Sequence, residues 1–331
     1  MICTLFLYLG SYSDVFEVVL NDPDLLRHKV TKKDTADKPR RPSRRATTLS
    51  SSMTAATLSR PLPVSKREHR SLAMKCLRPQ IRSDEEQFRI GAEDLVHETA
   101  ILANLSHPNI IKLYGRASGS LTDAFRTNDG YFILLDKLEC TLLDRIDTWL
   151  NLPHSITGPS VNPEQLDVAH SIANAMCYLH SKKILFRDLK PENVGFDSNG
   201  ILKLFDFGFA IVCLDEVYEK VGTPRYMAPE NALETGYSLP ADVYSFGILL
   251  WEICALNKPF TSIKTSEEFE KLVCIDGKRP AISPHWPQPI KQLLKDCWSS
   301  DPAARPLMSD VVATLSSSAT TKDDKKKILV S

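Results

Sequence analysis

The sequence predicts a protein of the α+β class, with strands concentrated before residue 138 and helices after it. Two observations support this division. Short apolar runs that alternate with polar residues, a pattern typical of half-buried strands, recur in the first part. Longer segments with apolar residues three or four positions apart, a pattern typical of amphipathic helices, dominate the second part. Since strands and helices occur in separate runs, the α+β class is favoured, and 331 residues suffice for one large or two ordinary domains.

The overall composition excludes several classes of protein. Lysine plus arginine and aspartate plus glutamate both number 41, so no net charge favours nucleic acid or a membrane surface. Eight cysteines show neither C-x-x-C pairs nor metal-ligand spacing, which predicts reduced thiols in a cytoplasmic or nuclear protein. The apolar start lacks a basic segment and is too short to cross a bilayer, so neither a signal peptide nor a membrane span is expected.

The first predicted element is a hairpin. Thr4–Leu9 and Val15–Leu20 read as strands around a polar turn that begins at Gly10. Because the first strand begins almost at residue 1, we expect the true N-terminus to lie upstream of this Met, as in a truncated gene model.

A basic segment interrupts the strand pattern at residues 21–71. It contains no aromatic residue, and between Arg27 and Arg70 thirteen lysines and arginines face three acids. Such a composition buries too little apolar surface to order itself, so a disordered insertion is predicted. Its length is tolerable because the entropy cost of loop closure grows slowly with length. Nucleic-acid binding is not expected, since the segment lacks aromatic residues for base stacking.

A lysine and a glutamate are predicted to pair after this insertion. Leu72–Leu77 reads as the third strand, and its period of two puts Lys75 on the same face as Ala73 and Leu77. Asp94–Leu105 reads as a helix whose apolar stripe includes Glu98. Because an unpaired buried carboxylate is costly, Lys75 is the expected partner of Glu98.

The remaining elements are predicted in chain order. Two further strands, Asn109–Tyr114 and Tyr131–Leu135, complete the strand-rich part. A helix is predicted from Asn162 to Leu179, with Asn162 as N-cap, proline in the first turn and Gln165 reaching back to the cap. Asp242–Cys254 is apolar nearly all round, which indicates a buried helix. Residues 316–331 are polar and lysine-rich, and we expect a disordered tail.

The stretch Ile184–Ala210 carries the candidate chemistry. Ile184–Phe186 and Ile201–Phe205 read as the strands of a hairpin whose turn is Asp197–Gly200. A plain hairpin does not need the polar residues that accompany it, which are Asp188, Lys190, Asn193 and Asp206. Carboxylate and amide oxygens are the ligands that Mg²⁺ prefers, usually together with substrate phosphates. Asn193 and Asp206 are therefore candidate metal ligands, which leaves one further carboxylate and one cation.

The RDLKPEN and DFG motifs in this stretch resemble those of eukaryotic protein kinases of the serine/threonine type. Cys297-Trp298 and the segment from Asp301 to Pro306 resemble the closing motif of the tyrosine-kinase-like group. The resemblance implies a two-lobed kinase fold, with a β-rich N-lobe at 1–138 that contains one key helix and a mostly helical C-lobe at 139–315. It also implies transfer of the ATP γ-phosphoryl to Ser or Thr of protein substrates, with ATP and Mg²⁺ as cofactors.

The same resemblance assigns roles to the candidate residues. Asp188 would accept the substrate hydroxyl proton, Asn193 and Asp206 would hold Mg²⁺, and Lys190 would sit near the transferred phosphoryl group. Lys75 would bind the α- and β-phosphates in its pair with Glu98. Arg305 would form a buried ion pair with Glu230, and Asp242 would accept hydrogen bonds from the catalytic loop. The residues expected to contact ATP are Gly10, Val15, Ala73, Lys75, Asp136 and Leu138.

Four positions depart from the family pattern. Tyr8 and Ser13 occupy two glycine positions of the loop that covers the ATP phosphates, which puts nucleotide affinity in doubt. Phe186 replaces the usual histidine, and we expect its ring to pack on Phe207. Gly195 replaces an apolar residue beneath adenine and is expected to loosen the pocket. These departures leave open a pseudokinase, a binding or scaffolding module with the same fold.

Regulation is predicted from charged and hydroxyl residues. Arg187 would receive an activating phosphate, but residues 206–230 contain no Ser or Thr besides Thr223. We hypothesise that an acid of this segment, among Asp215, Glu216 and Glu219, or phospho-Tyr218, serves instead; ordinary loop solvation is the alternative. Thr47 follows two arginines and is a candidate site for an upstream basophilic kinase. The arginine pairs before it, Arg40-Arg41 and Arg44-Arg45, could also form a nuclear-import or anionic-lipid patch, and a solvated linker is the alternative.

Overall fold

The computed structural model describes residues 2–9, 12–20, 70–117, 131–152 and 161–317. The expectations for Gly10, for Thr47 and for most of the basic insertion lie outside these residues. The chain separates into two compact units. The first unit comprises the residues up to Thr99 together with Leu113–Lys137, and the second comprises Ala100–Lys112 and the residues from Leu138 onward. Within the described ranges, no helix is both long enough and apolar enough to span a bilayer.

The first unit contains an antiparallel sheet of five strands, which are β1 Ile2–Leu9, β2 Ser13–Leu20, β3 Arg70–Leu77, β4 Leu113–Arg116 and β5 Phe132–Asp136. Their order across the sheet is β1-β2-β3-β5-β4. The predicted hairpin and third strand are therefore present. The expected face of β3 is also present, because Ala73 and Leu77 are buried on the same side as Lys75.

The predicted insertion extends two residues too far. Arg70 and Ser71 belong to β3, where they pair with Leu20 and Val19 of β2. The prediction began the strand at its first apolar residue, Leu72. Backbone hydrogen bonds between strands do not require apolar side chains, so the pairing with β2 includes the two polar residues before it. Similarly, β4 begins at Leu113, and the predicted strand residues before it do not belong to this sheet: Ile110 forms an isolated bridge with Leu204.

Helix α1, Glu85–Leu102, is longer at its start and shorter at its end than predicted. Asp84 precedes it, and its carboxylate accepts hydrogen bonds from the backbone and side-chain nitrogens of Gln87 at 3.0 and 2.9 Å. This arrangement of an acid followed three residues later by Gln is a helix-start signal that an apolar stripe does not reveal. The helix therefore begins nine residues before the predicted Asp94 and ends three residues before the predicted Leu105.

The second unit is mainly helical. Its α-helices are α2 Leu142–Leu150, α3 Pro163–Ser181, α4 Pro229–Ala232, α5 Pro240–Ala255, α6 Ser266–Phe269, α7 Gln288–Cys297 and α8 308–317. Helix α3 begins with the predicted capping box of Asn162 and Gln165. Helix α5 is buried from Ala241 to Cys254, which confirms the predicted central helix. Ser316 and Ser317, the first two residues of the predicted tail, belong to α8, and the rest of that prediction lies outside the described residues.

The predicted hairpin between Ile184 and Phe205 is wrong in its first strand. Strand β7, Ile184–Leu185, pairs with β10, Ile211–Val212, and not with the run that begins at Ile201. The hairpin consists of β8, Val194–Phe196, and β9, Leu202–Leu204, around the predicted turn. A third strand, β6 at Cys140–Thr141, pairs with β8.

Candidate active site

The loop that carries Asp188 is fixed by one buried carboxylate. Asp242 of α5 is 1% exposed and accepts hydrogen bonds from the backbone nitrogens of Phe186 and Arg187 at 2.8 and 3.0 Å. These bonds confirm the predicted contact between Asp242 and the loop backbone. They also support Arg187 in its left-handed conformation, with φ of 71°. Because α5 is buried on all sides, the loop has a rigid support.

The Asp188 carboxylate lies at the centre of a hydrogen-bond cluster. One oxygen accepts from Lys190 Nζ at 2.7 Å and from Asn193 Nδ2 at 2.9 Å. The other accepts from the backbone nitrogen and the hydroxyl of Thr223 at 2.9 and 2.7 Å. The Thr223 hydroxyl also accepts from Lys190 Nζ at 2.9 Å. Asp188 is 6% exposed, so four donors hold a nearly buried carboxylate in one orientation.

A glycine permits Thr223 to approach Asp188. Gly222 has φ of 109°, and a Cβ added there would collide with the carbonyl oxygen of Arg187. A side chain at this position would therefore push the Thr223 segment away from the loop. Thr223 was not among the predicted site residues. Its direct bond to an aspartate 35 positions earlier depends on the folded chain.

The two candidate metal ligands lie at the same end of the β8–β9 hairpin. Val194, the first residue of β8, pairs with Leu204, the last residue of β9. Asn193 comes just before β8 and Asp206 comes two residues after the end of β9, so both lie at this end of the hairpin. The backbone nitrogen of Phe205 donates to the Asn193 carbonyl at 3.1 Å, which ties these two segments together. Asp206 is exposed and has φ of 63°. Since Asn193 Nδ2 donates to Asp188, its Oδ1 is the side-chain atom suited to a cation.

The described ranges contain no group of three or more His, Cys, Asp or Glu side chains that could hold a metal ion. The amide and carboxylate at the end of the β8–β9 hairpin are nevertheless compatible with Mg²⁺. This ion keeps several waters and usually takes only one or two protein carboxylates together with phosphate oxygens. The donor set therefore fits a magnesium ion that is bound together with a nucleotide.

The predicted pair of Lys75 and Glu98 is present in the first unit. Lys75 Nζ lies 2.7 Å from Glu98 Oε2, and Glu98 is 2% exposed. Lys75 retains 18% exposure of its side chain. The ammonium group therefore neutralises the buried carboxylate.

The other residues expected to contact ATP have varied surroundings. Val15 of β2 is opposite Lys75 of β3, and Ala73 is buried opposite Leu135 of β5. Asp136 is the last residue of β5, and its carboxylate accepts the Tyr114 hydroxyl at 2.7 Å. The contacts of these residues with ATP stay a prediction.

Gly195 was expected to loosen the pocket, but the Leu138 side chain fills the space next to this glycine. A Cβ added to Gly195 would lie 2.7 Å from Leu138 Cδ1 and 3.2 Å from Phe205 Cε1. The Leu138 side chain therefore already occupies the space that a side chain at Gly195 would fill. The sequence did not reveal this compensation, because 57 positions separate the two residues.

Phe186 and Phe207 pack as predicted. Their ring centroids are 5.0 Å apart at an interplanar angle of 72°, which is an edge-to-face contact. Both side chains are at most 1% exposed. A phenyl ring therefore supplies the packing contact at the position where the family has histidine.

Arg187 forms an ion pair with one acid of the predicted group. Its guanidinium lies 2.9 Å from Glu219 Oε2, and its side chain is only 6% exposed. The Tyr237 hydroxyl donates to the Glu219 backbone carbonyl at 2.7 Å, which fixes the acid's backbone. Tyr218 instead donates its hydroxyl to Glu216 at 3.0 Å, a bond that raises the Tyr218 pKa. These contacts single out Glu219 among the three candidate acids.

A buried acid near the loop was not identified from the sequence. Glu252 of α5 is 2% exposed and accepts the Tyr226 hydroxyl at 2.6 Å. Burial raises its pKa to about 7, against the opposing effect of the Tyr226 hydrogen bond. The charged groups that act on it are Glu192, Lys258 and Arg225. The helix pattern predicted burial here, but a glutamate in an otherwise apolar run was the only signal of this site.

We expect Glu252→Gln to stabilise the fold at pH 8 and to have little effect at pH 5. The folded-state pKa lies above the unfolded value of 4.5, so the protonated acid is preferred in the folded state. The contribution of the Glu252 carboxyl to the free energy of unfolding is complete below pH 4.5 and is lost as the pH rises to about 7. Because Gln carries no charge, Glu252→Gln should raise the free energy of unfolding by on the order of 3 kcal/mol at pH 8. Urea unfolding at both pH values measures this, with exposed Glu234→Gln as the control, and an equal effect at the two values would contradict it.

Comparison with known proteins agrees with this geometry. The family model described as the protein kinase domain matches residues 62–315. A probable serine/threonine-protein kinase of Dictyostelium discoideum is 33% identical over 70% of the chain. A serine/threonine/tyrosine-protein kinase of Arabidopsis thaliana is 31% identical over 75% of it. Mitogen-activated protein kinase kinase kinase 7 of Bos taurus is 31% identical over 70% of it. The chain spans 14%, 60% and 38% of the lengths of these relatives, respectively.

Proposed function

Because the chain belongs to the protein kinase family, as the sequence motifs predicted, we propose that it transfers the γ-phosphoryl group of ATP to serine or threonine hydroxyls of protein substrates. The observation that carries this proposal is the Asp188 carboxylate, which Lys190, Asn193 and Thr223 hold in one orientation. The division into an N-lobe at 1–138 and a C-lobe at 139–315 is part of the proposal.

Asp188 is the general base in this account. Its carboxylate accepts the proton of the substrate hydroxyl while the hydroxyl oxygen bonds to phosphorus and the bond to the leaving ADP oxygen breaks. Lys190 lies 2.7 Å from Asp188 and provides positive charge beside the transferred group. Lys75, oriented by Glu98, binds the α- and β-phosphates. Positioning and electrostatic stabilisation supply most of the rate in such a site.

Asn193 and Asp206 would hold Mg²⁺, which neutralises the phosphate oxygens when it is bound. The protein's own contribution is to orient the two ligands. The Asn193 side chain is fixed by its two hydrogen bonds to Asp188, both of 2.9 Å. Asp206 is the residue after Phe205, whose backbone nitrogen donates a hydrogen bond to the Asn193 carbonyl.

A pseudokinase is the second candidate function. Tyr8 and Ser13 replace glycines in the loop that covers the phosphates in the family, and side chains there hinder close approach of the backbone to phosphate. A Mg-ATP thermal shift combined with transfer of labelled phosphate to a generic protein separates the two. A shift with transfer supports the kinase, whereas a shift without transfer supports a nucleotide-binding module.

The ion pair of Arg187 and Glu219 supports activation without phosphorylation. The guanidinium contacts both Glu219 and the backbone carbonyl of Phe209, so it joins the catalytic loop to two points of the following segment. A carboxylate at this position supplies the negative charge that an activating phosphate would bring. The protein should therefore be active as synthesised.

Glu219→Gln should reduce kcat/KM roughly fivefold, because a partly exposed ion pair contributes about 1 kcal/mol. Phosphatase treatment of the wild-type protein should leave its activity unchanged. Steady-state kinetics on a generic substrate measure both, and Asp215→Asn, an exposed acid of the same segment, is the control. If phosphatase treatment abolished activity and Glu219→Gln had the wild-type kcat/KM, activation by Glu219 would be refuted. Loss in Tyr218→Phe as well would assign the role to a phosphate on Tyr218.

The remaining parts of the proposal concern location and partners. Reduced cysteines favour a cytoplasmic or nuclear location. Substrates are proteins with accessible Ser or Thr, and an upstream kinase acting at Thr47 is a further proposal that rests on the neighbouring arginines.

A further inference from the structure

Tyr12, the residue before β2, lies directly against helix α1. A Cβ atom added to Gly91 of this helix would lie only 2.8 Å from the Cβ of Tyr12. It would also lie 3.2 Å from side-chain carbons of Leu77 and of Ile81. Because the Tyr12 Cβ is bonded to the backbone, rotation of the tyrosine ring cannot make room. Tyr12 therefore approaches the helix this closely only because residue 91 has no side chain.

Tyr12 is anchored to the end of β3. The backbone nitrogen of Arg78 donates to the Tyr12 carbonyl at 3.0 Å. Nε of Arg78 lies 3.2 Å from Oδ1 of Asp14, and the Asp14 side chain is only 10% exposed. From Ser13 to Leu20, β2 is paired with β3. Displacement of Tyr12 would therefore break a backbone hydrogen bond and separate a nearly buried carboxylate from its cation, which is costly.

The contact with Tyr12 lies on the same side of α1 as the catalytic ion pair. Gly91 and Glu98 are both buried and are seven residues apart, which corresponds to about two helical turns. Leu95, between them, is 1% exposed. Glu98 is bonded to Lys75 of β3 at 2.7 Å. The helix is thus held at two points on one side, through Tyr12 near Gly91 and through Lys75 at Glu98.

We infer that Tyr12 is a positioning residue that holds α1 at the distance from β3 at which Glu98 reaches Lys75. Because Tyr12 is anchored, a change at its contact with Gly91 displaces the helix, and the Glu98 carboxylate moves with it. The inference rests on the proposed function, in which Lys75 binds the phosphates of ATP. Nucleotide affinity should therefore depend on the contact between Tyr12 and Gly91.

The test is Gly91→Ala, whose added methyl group meets Tyr12. The Kd of Mg-ATP, measured by isothermal titration calorimetry, should rise about tenfold, which is the effect expected for loss of one hydrogen bond to a charged group. In the Tyr12→Gly background, which lacks the opposing Cβ, the same substitution should change the Kd less than about twofold. Glu93→Ala, at an exposed residue of the same helix, is the control and should keep the wild-type Kd. An equal rise in both backgrounds, or no rise in wild type, would overturn the inference.

Thermal unfolding without nucleotide gives a second readout. Lys75→Met removes the cation that neutralises Glu98 and should lower the thermal midpoint of the wild-type protein. In Gly91→Ala, where the ion pair is already displaced, the decrease should be less than about half as large. Absence of both Mg-ATP binding and label transfer in the wild type would refute the proposed function, whereas the midpoints would still decide the inference. Equal decreases with and without Gly91→Ala would overturn it.

Discussion

Asp188→Asn is expected to lower kcat by about 10²–10⁴-fold while the affinity for Mg-ATP is retained. The carboxylate accepts four hydrogen bonds, and the substrate hydroxyl would deliver its proton to the same group. An amide has one acceptor oxygen in place of two and cannot take up the proton. The thermal shift with Mg-ATP and the rate of phosphate transfer, measured on the same preparation, separate nucleotide binding from chemistry.

Asp147→Asn is the matched control, because Asp147 is an exposed acid on α2. It should equal wild type in both measurements. Retention of wild-type kcat by Asp188→Asn would show that another group removes the proton. Loss of the Mg-ATP shift together with activity would instead show that the substitution disrupts the loop, whose donors Lys190 and Thr223 would then face an amide.

Glu230→Ala is expected to destabilise the second unit by about 3–5 kcal/mol. The Arg305 guanidinium, whose side chain is fully buried, makes two bonds to Glu230 at 2.5 and 2.9 Å. This pair was predicted from the family resemblance, and it is present. Removal of the carboxylate leaves a buried cation whose remaining partners among the described residues are the carbonyls of Ser299 and Pro240 and the face of Tyr244. The thermal midpoint should fall by roughly 6–20 °C.

Two further variants test the cause of this loss. Arg305→Met in the Glu230→Ala background should recover part of the stability, because it removes the uncompensated charge. Glu93→Ala breaks the exposed pair with Arg89, whose side chains are 61% and 64% exposed, and should cost less than about 1 kcal/mol. Equal midpoints for Glu230→Ala and Glu93→Ala would contradict the assignment of a buried ion pair.

Residues linked by local periodicity were predictable from the sequence. The period of β3 and the apolar stripe of α1 put Lys75 and Glu98 on buried faces, and the cost of an unpaired buried carboxylate predicted their contact. The capping box at Asn162 was also predictable, because all its groups lie within four consecutive residues. Asp84 and Gln87 carry a similar signal at the start of α1, but the prediction relied on apolar residues alone.

Contacts between distant segments were less predictable. The run Ile184–Leu185 had two possible partners of similar apolar character, and only the folded chain places it against Ile211–Val212. The compensation of Gly195 by Leu138 and the approach of Thr223 to Asp188 likewise join positions far apart in the chain. Phe260 has a left-handed backbone, which no sequence pattern indicates for a phenylalanine.

Serine/threonine kinase activity is tested by transfer of label from Mg-[γ-³²P]ATP to a generic protein substrate by the purified full chain, followed by phosphoamino-acid analysis. We expect labelled phosphoserine and phosphothreonine, with the signal reduced to near background in Asp188→Asn. A folded protein whose thermal midpoint rises with Mg-ATP but which labels no polypeptide would contradict it.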